Sequence, residues 1–330
     1  MSFLCVYSCL QEVLVARGCR QSLKQLHVRF GSFYRIDRHT FPVLLALDRL
    51  VGACCRQDAP LTFESPDAIF DLAIFYHTEF PTDPSPSFKT MIQQLAQQAT
   101  SVEYLFTQDG LADPHTDPSQ PAIDIASSLS FDEAVWVEVR DALGFHPPAN
   151  TPSPRPTIIT HLKPFPKASQ LVVASGLGGA VGELLAAKMP KEVRGVDVER
   201  GLGGEEKVGV LTALGREREV DTVVMGEVGV DQLVGAADSL PTIKRLQFNI
   251  TLPDDVEDTG SFVRTRLSSV IPHIRGLQGV TLRVQKTTAE QHDSITASLP
   301  VGVNIGAFCV SIRNVHRGRD FTSIHLVLNA

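Results

Sequence analysis

Three glycines spaced three residues apart, Gly176, Gly179 and Gly182, follow an apolar run at residues 171–173 and precede a helix-like segment. Such a loop presents bare backbone amides at a helix N-terminus, where a pyrophosphate can approach closely. Asp197 ends the next apolar run, about where an acidic side chain would bind a ribose hydroxyl. The spacing therefore allows one specific chemistry, the binding of a dinucleotide.

A second interpretation of this loop is favoured by its recurrence. The tetrapeptide Gly-Leu-Gly-Gly occurs at residues 176–179 and again at 201–204, in phase with a strand repeat described below. A phosphate cradle occurs once, whereas the turn of a repeated unit recurs. The loop also resembles that of short-chain dehydrogenases, which implies a downstream Tyr-x-x-x-Lys pair. All the tyrosines precede the loop, at Tyr7, Tyr34, Tyr76 and Tyr104. We therefore expect a repeat turn and no cofactor, and keep as the alternative an NAD(P)-dependent oxidoreductase that uses the Gly176–Gly182 loop.

Other catalytic patterns are missing from the sequence. It has no G-x-S-x-G, H-E-x-x-H or G-x-x-x-x-G-K-[ST] motif, so the usual hydrolase, zinc-protease and P-loop signals do not arise. His115 lies between Asp113 and Asp117 in a proline-rich stretch, which is more typical of a solvated turn than of a metal site. We therefore expect no enzyme activity and no bound metal.

Composition and charge narrow the classes of partner. The chain has 330 residues, 43% of them hydrophobic, and a formal net charge of -7, so it is expected to fold and to bind neither nucleic acid nor an anionic membrane. No run of eighteen apolar residues predicts a membrane span. The six cysteines lack paired zinc-site spacing and are expected as free thiols, which favours the cytoplasm or nucleus.

One short apolar template recurs through the second half of the chain. The template is six residues long and has apolar residues at its first, fourth and sixth positions, as expected of a short strand with one buried face. The copies begin at Ala168, Val193, Val220, Ile243, Leu277, Ile305 and Phe321. Most steps between copies are long enough for one strand and one helix. Proline follows the intervening helix-like segments at Met189-Pro190, Leu240-Pro241 and Leu299-Pro300, where it would stop a helix.

The first half echoes this pattern less regularly and is punctuated by proline-rich patches. Helices are predicted at residues 41–55, 88–99 and 131–143, the last from a Ser130-x-x-Glu133 capping box. Two regions are therefore expected: an irregular α/β region at residues 1–150, for which degenerate repeats are one interpretation, and a leucine-rich-repeat-like array at residues 151–330.

The segments "FPKASQLVV", "MPKEVRGVDV" and "LPTIKRLQFNI" resemble the LPxLxxLxL step of irregular leucine-rich repeats in fungal F-box-type proteins. This resemblance implies an α/β, leucine-rich-repeat-like solenoid with sequential parallel strands and outer helices. It also implies the substrate-recognition part of a ubiquitin ligase, in which an F-box binds an adaptor. The F-box itself is not evident. Residues 41–57 come nearest, and they lack its length and its downstream tryptophan.

The function predicted from these patterns is non-enzymatic binding of another protein, whose identity the sequence does not name. If the template residues point into the core, the residues between and beside them lie on an outward, concave strand face. That face carries both acidic and basic side chains, which suits protein recognition. Its predicted members are Asp197, Glu199, Arg245, Gln247, Asn249, Thr281, Arg283 and His325.

Overall fold

The computed structural model describes residues 3–32, 34–77, 79–107, 118–142, 145, 157–227, 230–252, 256, 258–287, 289–317 and 322–330. These residues fall into two compact units, one within Met1–His146 and Pro154–Ala168, the other within Pro147–Ser153 and Ser169–Ala330. The sequence placed the change at residue 150, whereas the first unit includes the described residues 157–168. The stretch from Asp113 to Asp117, with His115, lies outside the described residues.

The strands of the first unit are parallel in every described pairing. Its sheet runs β2-β4-β5-β6, and β1 pairs with β3 separately. The strands are Leu26–Arg29 (β1), Arg35–Ile36 (β2), Leu61–Glu64 (β3), Ala68–Asp71 (β4), Ala99–Phe106 (β5) and Trp136–Asp141 (β6). Parallel neighbours require helical or long connections, and the helices of this unit supply them.

The helices of the first unit are Phe3–Ala16 (α1), Phe41–Cys54 (α2), Pro86–Gln98 (α3), Gln120–Ser128 (α4) and Ile158–His161 (α5), with a 3₁₀ turn at Leu72–Tyr76. The helices predicted at 41–55 and 88–99 are confirmed. Ser85 caps α3 by accepting a hydrogen bond from Phe88 N at 3.0 Å. Phe88 is fully buried and meets the ring of Phe41 edge-on at 5.9 Å, which packs α3 against α2.

The helix predicted at residues 131–143 is wrong. Ser130 Oγ donates to Asp132 Oδ2 in a turn, and Trp136–Asp141 form β6 instead. The reason is the alternation of Val137 and Val139, both fully buried, with the outward Glu138. β-Branched residues with a period of two fit a strand, and pairing with β5 outweighs the local capping signal.

The second unit begins with parallel strands in chain order. They are Gln170–Ala174 (β7), Glu192–Asp197 (β8), Glu219–Glu227 (β9), Thr242–Thr251 (β10) and Gly279–Thr287 (β11). Each pairs in parallel with the next. The template residues of β8, β9 and β10 are at most 2% exposed, so the apolar spacing did identify one buried face. The prediction of sequential parallel strands is confirmed for β7–β11.

That prediction is wrong for the last two copies of the template. Asn304–Ile305 (β12), Phe308–Arg317 (β13) and Thr322–Asn329 (β14) pair antiparallel, and the sheet continues from β11 in the order β14-β13-β12. Few residues separate β13 from β14, whereas a parallel crossover needs about a dozen or more. The short final step therefore forces the chain to reverse. The sheet is large and mostly parallel, and the copies at Ile305 and Phe321 do not extend its parallel part.

Helices follow the parallel strands of the second unit. They are Gly179–Ala186 (α6), Gly204–Leu214 (α7), Val230–Gly235 (α8), Thr259–Val270 (α9) and Ala289–Ser298 (α10). Each of these helices contacts the next. Because crossovers between parallel strands are right-handed, strands in chain order place their helices on one side of the sheet. The apolar template residues pack toward this helical layer, and the other side of β8–β11 carries polar side chains. We call that side the strand face.

Candidate functional site

The two Gly-Leu-Gly-Gly segments contact each other through their backbones. Gly201 has a φ of +82°, and a Cβ there would lie 2.8 Å from Gly176 N and 2.9 Å from Ser175 C. A Cβ on Gly176 would lie 3.5 Å from Gly201 O. The loop after β8 therefore stacks directly on the loop after β7. This contact requires glycine at position 201 on both steric and conformational grounds.

The other two glycines of the loop are also used in packing. A Cβ on Gly179 would lie 2.7 Å from Glu206 Oε1, and one on Gly182 would lie 2.8 Å from Val173 Cγ2. Glu206 Oε2 accepts a hydrogen bond from Gly203 N at 2.9 Å at the start of α7. A carboxylate thus stands beside the loop, where its negative charge would repel a pyrophosphate.

Two further observations concern the alternative dinucleotide site. Asp197 Oδ1 accepts a hydrogen bond from Glu199 N at 2.9 Å, so this carboxylate closes its own turn. Dinucleotide folds bind their ligand where the strand order reverses. Among the described strands of the second unit, β7 to β11 run in chain order without such a reversal. The geometry of this loop thus favours contacts between successive strand–helix repeats over dinucleotide binding. This holds for Gly176, Gly179, Gly182 and Asp197.

The strand face aligns several of the predicted binding residues across neighbouring strands. Asp197 on β8 pairs with Val224 on β9, which pairs with Gln247 on β10, which pairs with Thr281 on β11. Arg245 lies two residues before Gln247 and pairs with Gly279. Arg245 is exposed, while Asp197, Gln247 and Thr281 are half-buried.

A second, more charged row crosses the sheet closer to the carboxyl ends of the strands. In it, Glu227 on β9 pairs with Asn249, Asn249 pairs with Arg283 on β11, and Arg283 pairs with His325 on β14. Glu199, in the segment after β8, joins this row because its Oε1 lies 3.9 Å from Arg283 Nη1. The fold therefore brings together residues that are widely separated in the sequence.

A bulge in β9 makes room for Glu199. The register between β9 and β10 shifts between Gln247 and Asn249, where Gly226 has a φ of +62°. A Cβ on Gly226 would lie 2.8 Å from Glu199 O. Bulges with a left-handed glycine bend a strand and change the direction of its side chains. This one lets the segment after β8 cross over β9 toward Arg283.

Asn249 is buried, whereas the sequence predicts it on the exposed strand face. It is only 5% exposed, and its Oδ1 has no hydrogen-bond partner among the residues that the structure describes. A buried amide oxygen without a partner is unfavourable. Asn249 therefore offers less contact surface than Arg245 or Arg283, although it lies in the same row as Arg283.

The site includes two residues that sequence reasoning missed, Lys207 and Glu227. Lys207 on α7 is 4% exposed, and its Nζ donates to Glu227 O at 2.8 Å. Burial lowers the pKa of Lys207, and the nearby carboxylates of Glu227 and Glu199 oppose this shift. A lysine on a helix normally lies in solvent, so the sequence held no signal for a buried amine here.

The first unit holds a separate buried ionic network. Glu103 on β5 is 2% exposed, forms an ion pair with Arg35, and accepts from Arg140 Nε at 3.3 Å. Its neighbour in register on β4 is Asp71, whose Oδ1 accepts from Ala73 N at 2.9 Å and from Leu105 N at 3.3 Å. Burial raises the pKa of Asp71 to about 7.

The described residues contain no group of three or more histidine, cysteine, aspartate or glutamate side chains suited to hold a metal ion. None of the described helices is long and apolar enough to cross a membrane. The strand face instead combines carboxylates, guanidinium groups and amides on a broad surface. Such groups can form ion pairs and hydrogen bonds with another polypeptide.

Comparison with models of known protein families gives no match for this chain, and a search of curated proteins also finds none.

Proposed function

We propose that this chain is a non-enzymatic scaffold that binds another protein through its strand face. The observation that carries the proposal is the alignment of mixed charges and amides across β8–β11, on the side opposite the apolar template residues. Parallel sheets are usually covered on both faces. A polar, partly exposed face on such a sheet therefore suits a partner that covers it.

Arg245 and Arg283 are the residues expected to contribute most to binding. Arginine is enriched among residues that dominate binding energies, because its planar guanidinium forms several directed hydrogen bonds. Arg245 is exposed, and Arg283 is held beside Glu199. We expect them to contact carboxylates or main-chain carbonyls of the partner.

The resemblance to leucine-rich-repeat proteins supports a more specific form of this proposal. In that form, residues 151–330 are a repeat solenoid that recognises the substrate of an F-box-type ubiquitin ligase, in the cytoplasm or nucleus. The parallel order of β7–β11 and the buried template residues favour it. The described free cysteines are compatible with a reducing compartment.

The test compares captured proteins from cell extract for the wild-type chain and the double variant Arg245→Glu/Arg283→Glu. Arg264→Glu is the matched control, because Arg264 is exposed on α9, away from the strand face. We expect specific partners to be retained by the control and lost by the double variant. A purified partner should then bind the single variant Arg245→Glu about tenfold more weakly or worse in calorimetry. Equal binding by all variants would contradict the proposal.

A further inference from the structure

We infer that the outer edge of β1 is a docking site for an extended segment of a partner protein, in which apolar residues alternate with acidic ones. β1 and β3 form a two-stranded sheet in the first unit. The side of β1 that points away from β3 is called the β1 edge. This site is separate from the strand face and does not depend on the function proposed for that face.

The hydrogen bonds between β1 and β3 determine which backbone groups of β1 point outward. Leu26 N and Phe30 N donate to carbonyl oxygens at the two ends of β3, at 3.1 and 2.8 Å. Because alternate residues of a parallel strand direct their backbone groups to opposite sides, the amides and carbonyls of His27 and Arg29 point away from β3. Among the described strands, β3 is the only one that pairs with β1. The β1 edge therefore offers backbone donors and acceptors to an added strand.

The opposite edge of the same sheet is closed by two side chains of α3. Gln94 Nε2 donates to Leu61 O at 3.0 Å, and Gln94 Oε1 accepts from Phe63 N at 2.7 Å. Gln98 Nε2 donates to Phe63 O at 2.8 Å, and Gln98 Oε1 accepts from Ser65 N at 3.0 Å. These amides take the place of a neighbouring strand along β3. No side chain within the described ranges does the same for β1, so this sheet has one closed edge and one open edge.

The side chains of β1 define which residues an added strand would carry. Leu26 and Val28 are half-buried on one face of β1, whereas His27 and Arg29 are exposed on the other. Side chains directly opposite each other in adjacent strands have Cβ atoms about 5 Å apart. Apolar residues of an added strand would therefore cover Leu26 and Val28. The residues between them would lie beside His27 and Arg29.

The charge near the β1 edge favours an acidic occupant. Arg29 is exposed, as is Lys24 two residues before β1, and neither forms an ion pair with a residue whose position is described. Glu64 lies in register with Arg29, but its Oε2 contacts His27 Nε2 at 3.2 Å instead. A carboxylate of an added strand would therefore find Arg29 available. Charged side chains also hinder unselective pairing at a sheet edge, so this edge would select an acidic strand.

A second copy of this chain is the other occupant that an open edge admits. Antiparallel pairing of two β1 strands would place the Arg29 side chains of both copies on the same face. Like charges on neighbouring strands are destabilising, whereas an acidic strand gains from the same guanidinium groups. A third strand also supports a two-stranded sheet, which is only marginally stable by itself. We therefore assign the β1 edge to a partner protein.

The experiment titrates the full chain into a labelled peptide of about eight residues, in which valine and glutamate alternate, and follows fluorescence anisotropy. Two further versions of the peptide carry N-methyl groups, one on every valine amide and the other on every glutamate amide. Only one of these two sets of amides faces β1 in a paired strand. We expect saturable binding of the unmodified peptide, loss of binding by one methylated version and retention by the other. Equal binding by the two methylated versions would contradict strand addition.

Two substitutions at position 27 test the same contact from the side of the protein. His27→Pro removes an outward amide, whereas the matched control His27→Ala keeps it. We expect His27→Pro to weaken binding of the unmodified peptide about tenfold or more, and His27→Ala to bind within about twofold of wild type. Neither variant removes a hydrogen bond between β1 and β3, and melting temperatures check that both remain folded. The proposal fails if the two variants bind the peptide equally well.

A charge reversal tests the acidic occupant without proline in the strand. Arg29→Glu should weaken binding of the glutamate peptide about tenfold and should permit binding of a peptide that alternates valine and lysine. Lys89→Glu, an exposed charge reversal on α3, is the matched control and should leave both affinities unchanged. Equal affinity of Arg29→Glu and wild type for the glutamate peptide would exclude an acidic occupant. Self-association of the chain in sedimentation that His27→Pro abolishes would assign the edge to a second copy and overturn the proposal.

Discussion

Gly201 shows how a single missing side chain allows two loops to stack. Its φ of +82° is unfavourable for any residue with a Cβ, and that Cβ would meet the backbone of Ser175 and Gly176. Backbone atoms cannot move aside as a flexible side chain can. The role of this glycine is therefore fixed by the neighbouring loop.

We predict that Gly201→Ala lowers the free energy of unfolding by about 2–4 kcal/mol, measured by urea denaturation. Gly176→Ala is the matched control, because its Cβ would make an ordinary contact of 3.5 Å with Gly201 O and should cost less than about 1 kcal/mol. Equal effects of the two substitutions would contradict the stacked arrangement.

Asp71 gives a prediction about pH. Burial raises its folded-state pKa to about 7, against an ordinary value of 3.8. Between these values the folded state binds more protons than the unfolded state, so stability falls as pH rises from about 4 to about 7 and is then constant. The loss from this group should reach at most about 4 kcal/mol.

Asp71→Asn isolates this contribution, because an amide oxygen can still accept from Ala73 N and Leu105 N. We expect the variant to match wild type near pH 4 and to be the more stable protein at pH 8, in denaturation curves recorded across this range. Parallel pH profiles for the two proteins would show that folding does not raise the pKa of Asp71.

At the scale of elements, strand β10 has two distinct faces. Phe248 is fully buried beneath the helical layer, and Gln247 points to the strand face. We predict that Phe248→Ala costs about 3–5 kcal/mol in urea denaturation, because it leaves a cavity in the core. Gln247→Ala should cost less than about 1 kcal/mol. A larger loss from Gln247→Ala would mean that the strand face packs inward.

The elements that could be predicted are those in which local pattern and packing agree. The template spacing identified the buried face of β8–β10 because every apolar residue of the template packs into the same hydrophobic core. The same spacing at Ile305 marked buried residues, and the copy that begins at Phe321 overlaps β14, but neither copy indicated the direction of its strand, which depends on the length of the connection. β6 was mistaken for a helix because the capping signal near Ser130 is local, whereas its pairing with β5 is not.

The candidate site was predictable where it follows strand positions. Asp197, Gln247 and Thr281 align because period-two alternation fixes their face. The burial of Asn249 and Lys207 could not be predicted, because it depends on the bulge at Gly226 and on the path of the segment after β8. Such long-range packing leaves no signal in a single local stretch.

At the scale of the whole molecule, the proposed function predicts that the chain does not bind nicotinamide dinucleotides. The carboxylate of Glu206 stands beside Gly179, and the order of β7–β11 provides no crevice next to the loop. A ligand at a hundred times its Kd would stabilise the fold by about 2.7 kcal/mol. We therefore expect no change in melting temperature when any of the four nicotinamide dinucleotides is added at millimolar concentration.

The oxidoreductase alternative makes the opposite prediction for the same measurement. It requires a clear rise in melting temperature that Gly179→Glu abolishes. Glu206→Gln would be informative in that case, because removing the negative charge beside the loop should strengthen the binding of a phosphate group. A rise with these properties would favour the reductase over the binding scaffold.

The shortness of β12 has a consequence for how separate molecules behave at high concentration. Asn304–Ile305 (β12) form the outermost strand at this end of the sheet. This two-residue strand pairs only with the start of β13, at Phe308 and Cys309. Long, flat outer strands act as templates on which other chains polymerise into fibres. Beyond Val310, no described strand pairs with the outer edge of β13, so backbone groups remain there to act as such a template. Introducing proline at an outward-facing amide of β13 is therefore expected to raise the protein concentration at which solutions gel or precipitate.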